Sequence, residues 1–322
     1  MILYYYTILK HSSGEKKNMG RYDNLRRIQQ LDPQRNATEI YTLTGCYEFP
    51  WDQIRSLEIA LYRTYCVPSI SALLDKTGEF EQRTQKRYDD TSLIVAEMSA
   101  FGYDSERGRA AQRRMNRIHK QYDISNDDYL YVLSTFIYEP IRWNARFGWR
   151  NMCEKERLAA YYFWRAIGQR MNIKNIPESY EAFEQFNRDY ERDHFRYAES
   201  NKRIGEATRD LFLSWFGLPT SISKLFRPVV YALLDNSMLD AFGFPHPPQF
   251  LRSLLSVTLK TRAFALRFFP PRKHPYIYVE EAPHRAYPNG YNLTDLGPPH
   301  MLAMLNKTLN QGRANEVDVV VD

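Results

Sequence analysis

Asn126 to Trp143, NDDYLYVLSTFIYEPIRW, constrains the fold more than any other stretch, because from Tyr129 onward it is apolar almost all the way round a helix. A helix without a wet face has to lie at the centre of its protein. Ser125 with Asp128 three residues on makes a capping-box signature that fixes its start. Glu139 and Arg142 are placed to pair, and Pro140 should kink the helix. Gly is scarce, 14 of 322 residues, and windows rich in Gln, Arg, Glu and Ala outnumber any alternating strand pattern, so the partners of this helix are predicted to be helices too. The expected fold is all-α, a single globular multi-helix domain.

Trp51–Leu74 reads as a helix broken at Pro68, with Ile54, Leu57, Leu61, Ile70 and Leu73 as apolar contacts. The polar run Glu79–Tyr88 reads as a loop. Asp89 or Asp90 then caps a helix through Leu93, Ile94 and Met98 to Phe101, closed by Gly102. Glu154–Met171 is amphipathic, and Tyr180–Asn201 repeats an aromatic stripe, Phe183, Phe186, Tyr190, His194 and Tyr197. Shorter helices follow to about Phe269, and beyond Pro270 the chain turns irregular and Pro-rich. The expected division is 1–30 as a membrane-anchor stub and basic linker, 31–270 as the helical body, and 271–322 as an extension that packs on the body and is loose at its end.

The net charge of +6 comes from Arg-rich helices with Asp and Glu interspersed, not from a basic block, so nucleic acid is not expected as a partner. Cys46, Cys66 and Cys153 form no CxxC or CxxCH pattern, which argues against a disulfide scaffold, a zinc site and covalent haem attachment and for a reducing compartment. Ile2–Leu9, ILYYYTIL, is apolar but far short of the roughly 20 residues that span a bilayer. Lys10, His11, Lys16, Lys17, Arg21, Arg26 and Arg27 follow it. Two readings stay open: an anchor stub or interfacial foot with the body on the cytosolic side, or a first strand or frayed end.

No GxSxG elbow, GxGxxG turn, P-loop or HExxH is present, which removes the support for hydrolase, kinase and dehydrogenase readings. His119 ends the basic segment Glu106–Lys120, in which Gly108, Ala111, Gln112, Met115, Asn116 and His119 share one helical face while Arg107, Arg109, Arg113, Arg114 and Arg117 mostly lie elsewhere. A small, flat face beside an imidazole suits a planar cofactor such as haem, and it suits a partner-bonded core histidine equally well. His194, on the aromatic stripe, is a second candidate ligand with the same core alternative.

KRYDDTSLI (Lys86–Ile94), RRMNRIHKQYDISNDDYLYVLSTFIYEPIRW (Arg113–Trp143) and LYRTYCVPSISALL (Leu61–Leu74) together resemble the fungal MpaB-type oxygenases, which share a catalytic domain with bacterial rubber oxygenase, the latex-clearing protein. The resemblance covers roughly Tyr47–Phe244. It implies a helical fold enclosing a non-covalent b-type haem, with the His of the RxNxIH motif, here His119, as proximal iron ligand. It also implies a distal Arg and Thr four residues apart, matched by Arg87 and Thr91. Asp90 stands where the rubber enzymes carry a Lys able to occupy the distal iron position, which puts that coordination in doubt here.

The implied activity is a dioxygen-dependent cleavage of a carbon–carbon double bond in a hydrophobic isoprenoid or prenylated substrate, on the cytoplasmic face of the endoplasmic reticulum membrane or in the cytoplasm. Met115 and Ala111, with Arg63, Arg142 and Arg146 for the propionates, are the candidate haem contacts. Phe136, Tyr138 and Trp143 are the candidate substrate contacts, with ordinary core packing as their alternative. Two other classes share these residues: a haem peroxidase or gas-binding protein, and a haem-free helical pseudo-enzyme that binds lipid or protein.

Overall fold

The computed structural model describes residues 20–217 and 219–304, and all of the regular structure among them is helical. The apolar segment Ile2–Leu9 and the tail Glu316–Asp322 lie outside the described residues. Helix α1 (Asp23–Gln30) and α2 (Ala37–Thr42) lead through a π turn over Leu43–Glu48 into α3 (Pro50–Thr64) and α4 (Pro68–Lys76). Both α3 and α4 begin on a proline, at the position where its missing N–H costs nothing. The break at Pro68 is therefore where the sequence puts it.

The polar run after α4 is helix rather than loop. It forms α5 (Glu79–Gln82) and the first turns of α6 (Thr84–Phe101), so Asp89 and Asp90 lie inside α6 and do not cap it. The physical reason is side-chain pairing one turn apart. Arg83 grips Glu79 (2.8 Å), Gln85 donates to Asp89 (2.9 Å) and Lys86 pairs with Asp90 (2.9 Å), so polar residues satisfy one another along the helix.

Helix α7 (Glu106–His119) follows, its Ser105 cap accepting from Gly108 N at 2.9 Å. Gly108 is needed there: a Cβ at this position would lie 2.0 Å from the Gly102 carbonyl oxygen. Arg114, expected among the solvated arginines, is buried instead, donating to the carbonyls of Leu296 (2.7 Å) and Thr294 (2.8 Å). Helix α8 (Asn126–Phe147) is the central element, capped by Ser125 (3.0 Å to Asp128 N) and carrying the Glu139–Arg142 pair at 2.8 Å. Its most extensive partner is α3.

Helices α9 (Glu154–Arg170), α10 (Tyr180–His194), α11 (Glu199–Ser214), α12 (Thr220–Ser223), α13 (Arg227–Leu233), α14 (Asn236–Phe242), α15 (Gln249–Leu266) and α16 (Tyr278–Glu281) complete the order. The stripe Tyr180–Asn201 is thus split between two helices, with Phe195 extended at the break. Leu93, Met98, Ala111, Ile137, Phe163 and Trp164 make the main core between α6, α7, α8 and α9, and Tyr62, Ile204, Tyr231, Met238 and Phe242 make a second. Residues 276–297 are strapped to the outer side of α6: Ala286 N donates to Asp89 (2.7 Å), Tyr291 to Glu97 (2.6 Å) and Lys86 to the Gly297 carbonyl (2.8 Å). Among the described residues no helix is long and apolar enough to cross a membrane.

Candidate active site

Arg87 and Thr91 sit one turn apart on α6, and the Arg87 guanidinium donates to the Thr91 hydroxyl, which also donates to the Arg87 carbonyl at 3.1 Å. Thr91 borders two cavities. The larger is a narrow apolar cleft of about 90 Å³, walled by Ile54, Leu57, Val95, Ala96, Phe136 and Tyr278 among others. The smaller, about 20 Å³, is walled by Tyr65, Phe80, Arg87, Leu211 and Phe212. Glu58, Leu61, Tyr88 and Thr91 belong to both walls, so the cavities meet along this line.

Glu58, on α3, is the carboxylate at that junction. Its carboxylate accepts from the Tyr88 hydroxyl at 2.6 Å and from Arg55 at 2.7 Å. Burial pushes its pKa up to about 7, against the pull of Arg55 and the Tyr88 hydrogen bond. Sequence reasoning missed this residue. The signal was there: Glu58 falls between Leu57 and Leu61 and four residues after Ile54, a lone acid on an otherwise apolar helical stripe.

His119 lies at the end of α7 with its ring edge-on to Tyr129, centroids 5.6 Å apart. Its Nδ1 is sealed from solvent and has no hydrogen-bond partner. Burial, and then the nearby Arg87 guanidinium, hold its pKa down to about 4, so the imidazole is neutral at physiological pH. A buried ring nitrogen without a partner is an unsatisfied polar atom, the exception that calls for a ligand or a cost. Among the described residues no three His, Cys, Asp or Glu side chains gather as a metal-ligand set. A neutral imidazole with one unpartnered nitrogen is the kind of donor that could hold a haem iron. His119 is not among the residues that wall either cavity.

The other expected site residues divide. Phe136 lines the apolar cleft with Thr91. Ala111 is fully buried in the main core and Met115 packs against it. Asp90 is engaged elsewhere: its carboxylate is taken by Lys86 and by the Tyr287 hydroxyl of the C-terminal strap. Arg63 pairs with Glu139 (3.7 Å), Glu191 (2.6 Å) and Asp235, and Arg142 with Glu139, in a separate polar cleft that Arg146 also lines. No residue of that cleft borders the apolar one. Trp143 donates to buried Asp52 at 3.0 Å, Tyr138 to the Tyr180 carbonyl at 2.6 Å, and His194 is stacked on Tyr190 with Nδ1 3.0 Å from the Tyr190 carbonyl.

Residues 58–265 match the family described as ER-bound oxygenase mpaB/B′/rubber oxygenase, catalytic domain. The chain belongs to this family. The matched span opens at Glu58 and holds Arg87, Thr91, His119 and Phe136, and it reaches further toward the C-terminus than the Tyr47–Phe244 resemblance. Relatives include the ER-bound oxygenase mpaB′ of Penicillium brevicompactum, 28% identical over 244 residues that cover 70% of this chain and 57% of the relative. The ER-bound oxygenase mpaB of Penicillium roqueforti (strain FM164) is 34% identical over 145 residues, 43% of this chain and 49% of the relative. The mpaB of Penicillium brevicompactum is 35% identical over 134 residues, 40% of this chain and 34% of the relative. The chain thus spans about half the length of these mpaB-type relatives or less.

Proposed function

We propose that this mpaB-family chain is a haem-dependent oxygenase that cleaves a carbon–carbon double bond of a hydrophobic isoprenoid or prenylated substrate with dioxygen. The observation that carries the reading is the neutral imidazole of His119, its Nδ1 without a hydrogen-bond partner, near Arg87, with an apolar cleft bordered by Thr91. His119 is the residue that would hold a b-type haem, bound without covalent attachment. When bound, the haem supplies an iron centre able to activate dioxygen.

The remaining roles belong to the chain's own groups. Arg87 and Thr91 offer a cationic and a hydroxyl donor one turn apart, suited to stabilising negative charge as it develops. Val95, Ala96 and Phe136 exclude water and bind an apolar chain in the larger cleft. Glu58, with its pKa near neutrality, can hold or release a proton at the junction of the two cavities, relayed through the Tyr88 hydroxyl. Asp90 fastens α6 to the strap and holds the helix that presents Arg87 and Thr91. Cleavage of an alkene to two carbonyls balances with one dioxygen, both atoms of which enter the products.

The test is oxygen uptake by the haem-loaded protein with prenylated aromatic substrates, with carbonyl products analysed by mass spectrometry under ¹⁸O₂. Label in both carbonyls and a rate lowered about 100-fold by Arg87→Ala or Thr91→Val support the reading. Absence of dioxygen-dependent product from any alkene, in protein that carries haem, favours a peroxidase or gas-binding role.

A further inference from the structure

The outer face of α15 is apolar and uncovered. Phe250 (71% exposed), Leu254 (58%), Val257 (61%) and Phe264 (59%) fall on one side of the helix, and Phe268 (74%) and Phe269 (62%) continue past its end. The opposite side carries Leu255 and Leu259, which pack on Trp143 and Phe147. The two-sided pattern would give an ordinary surface helix if the wet side were polar, and here it is not.

Charge says what covers it. Between Gln249 and Tyr278 the chain holds Arg252, Lys260, Arg262, Arg267, Arg272 and Lys273 and no Asp or Glu. Lys260, Arg267, Arg272 and Lys273 are exposed. Aromatic and aliphatic side chains rimmed by cations alone are the composition of a helix lying in the headgroup region of an anionic bilayer. The groove beside Lys260, Phe264 and Arg267 is closed on its other side by Tyr22 and Trp149, so the chain enters the described fold, at Gly20, on this same edge. In sequence the apolar segment Ile2–Leu9 lies just upstream.

We infer that the exposed face of α15, with Phe268, Phe269 and the flanking lysines and arginines, seats this protein on an anionic lipid surface. The site is a contact separate from any N-terminal anchor and stands independently of the oxygenase reading. On the packed side of the same helix, Arg262 pairs with buried Asp52 at 3.0 Å and stacks over Trp51 at 3.8 Å, and the adjacent Pro50 lines the apolar cleft, so α15 is tied to the segment that borders the cleft. Joined to the proposed function, this arrangement would hold the protein at the phase into which an isoprenoid substrate partitions.

The experiment is co-sedimentation of the full chain with vesicles of phosphatidylcholine alone and with about a third phosphatidylserine, alongside two variants. Leu254→Ser/Phe264→Ser/Phe268→Ser removes exposed apolar groups only, and Lys260→Glu/Arg272→Glu/Lys273→Glu reverses the rim. Circular dichroism and light scattering accompany each variant. The expected result is binding that favours the anionic vesicles and falls about ten-fold or more in both variants, with the fold and mass unchanged. Binding that the triple serine variant leaves intact overturns the proposal. So does a dimer in the parent that this variant dissolves without any effect on vesicle binding, which would assign the face to a second copy of the chain.

Discussion

The Tyr88 hydroxyl on α6 donates to the Glu58 carboxylate on α3 at 2.6 Å, at the line where the two cavities meet. Burial raises the Glu58 pKa to about 7 from the usual glutamate range. Between those values the folded chain holds a proton that the unfolded chain has lost, so the contribution of this group to stability is present at low pH and disappears as the pH rises through about 7. Glu58→Gln should therefore gain stability relative to the parent on going from pH 5 to pH 8, by about 2 kcal/mol. Denaturant unfolding of both proteins at the two pH values checks this. An unchanged difference would mean that Glu58 is ionised throughout.

His119 gives the opposite slope over much the same window. Its folded pKa near 4 lies below the ordinary histidine value, so as the pH falls through 6.5 the unfolded chain takes up a proton that the folded chain refuses. In haem-free protein the parent should lose about 3 kcal/mol relative to His119→Gln between pH 7 and pH 4. Parallel stability curves for the two proteins would contradict a buried neutral imidazole.

Gly108→Ala should destabilise the protein by about 3 kcal/mol, because the new methyl would meet the Gly102 carbonyl, a backbone atom held by the α6–α7 turn. Thermal unfolding measures the loss. Since α7 also carries His119, the variant should bind haem more weakly than the parent, and an equal affinity would separate the turn from the site.

Some of this was legible in the sequence and some was not. The apolar circumference of Asn126–Trp143 identified the central helix, and Ser125, Pro68 and the Glu139–Arg142 spacing gave its start, the α3–α4 break and an ion pair because each acts within one or two turns. The first turns of α6 were misread as loop, since polarity was taken for solvent exposure where i,i+4 pairing held a helix together. Arg114 was misplaced for a related reason. Its carbonyl partners lie about 180 residues away, and only the fold brings them near. Arg63 and Arg142 carry charge of the right sign for propionates, but Glu139, Glu191 and Asp235 consume it, and those neighbours are set by tertiary structure.

Asp90→Ala should cost about 3 kcal/mol by leaving Lys86 without its carboxylate in a partly buried site. The double change Lys86→Met/Asp90→Leu should cost less than the sum of the single changes, because it strands no charge. Limited proteolysis should cut the strap 276–297 faster in Asp90→Ala than in the parent. Equal cutting rates would show that the Tyr287 contact does not hold the strap.

The central claim is that His119 holds a haem. Absorption spectra of the purified protein, reconstituted with haemin if it is isolated without haem, recorded ferric and then dithionite-reduced with carbon monoxide, test it beside His119→Ala. The parent should show a Soret band that shifts on reduction and is lost or strongly altered in the variant. A parent that stays colourless after reconstitution, or a variant with an identical spectrum, would contradict it and leave a haem-free helical binding protein, or a different axial ligand, in its place.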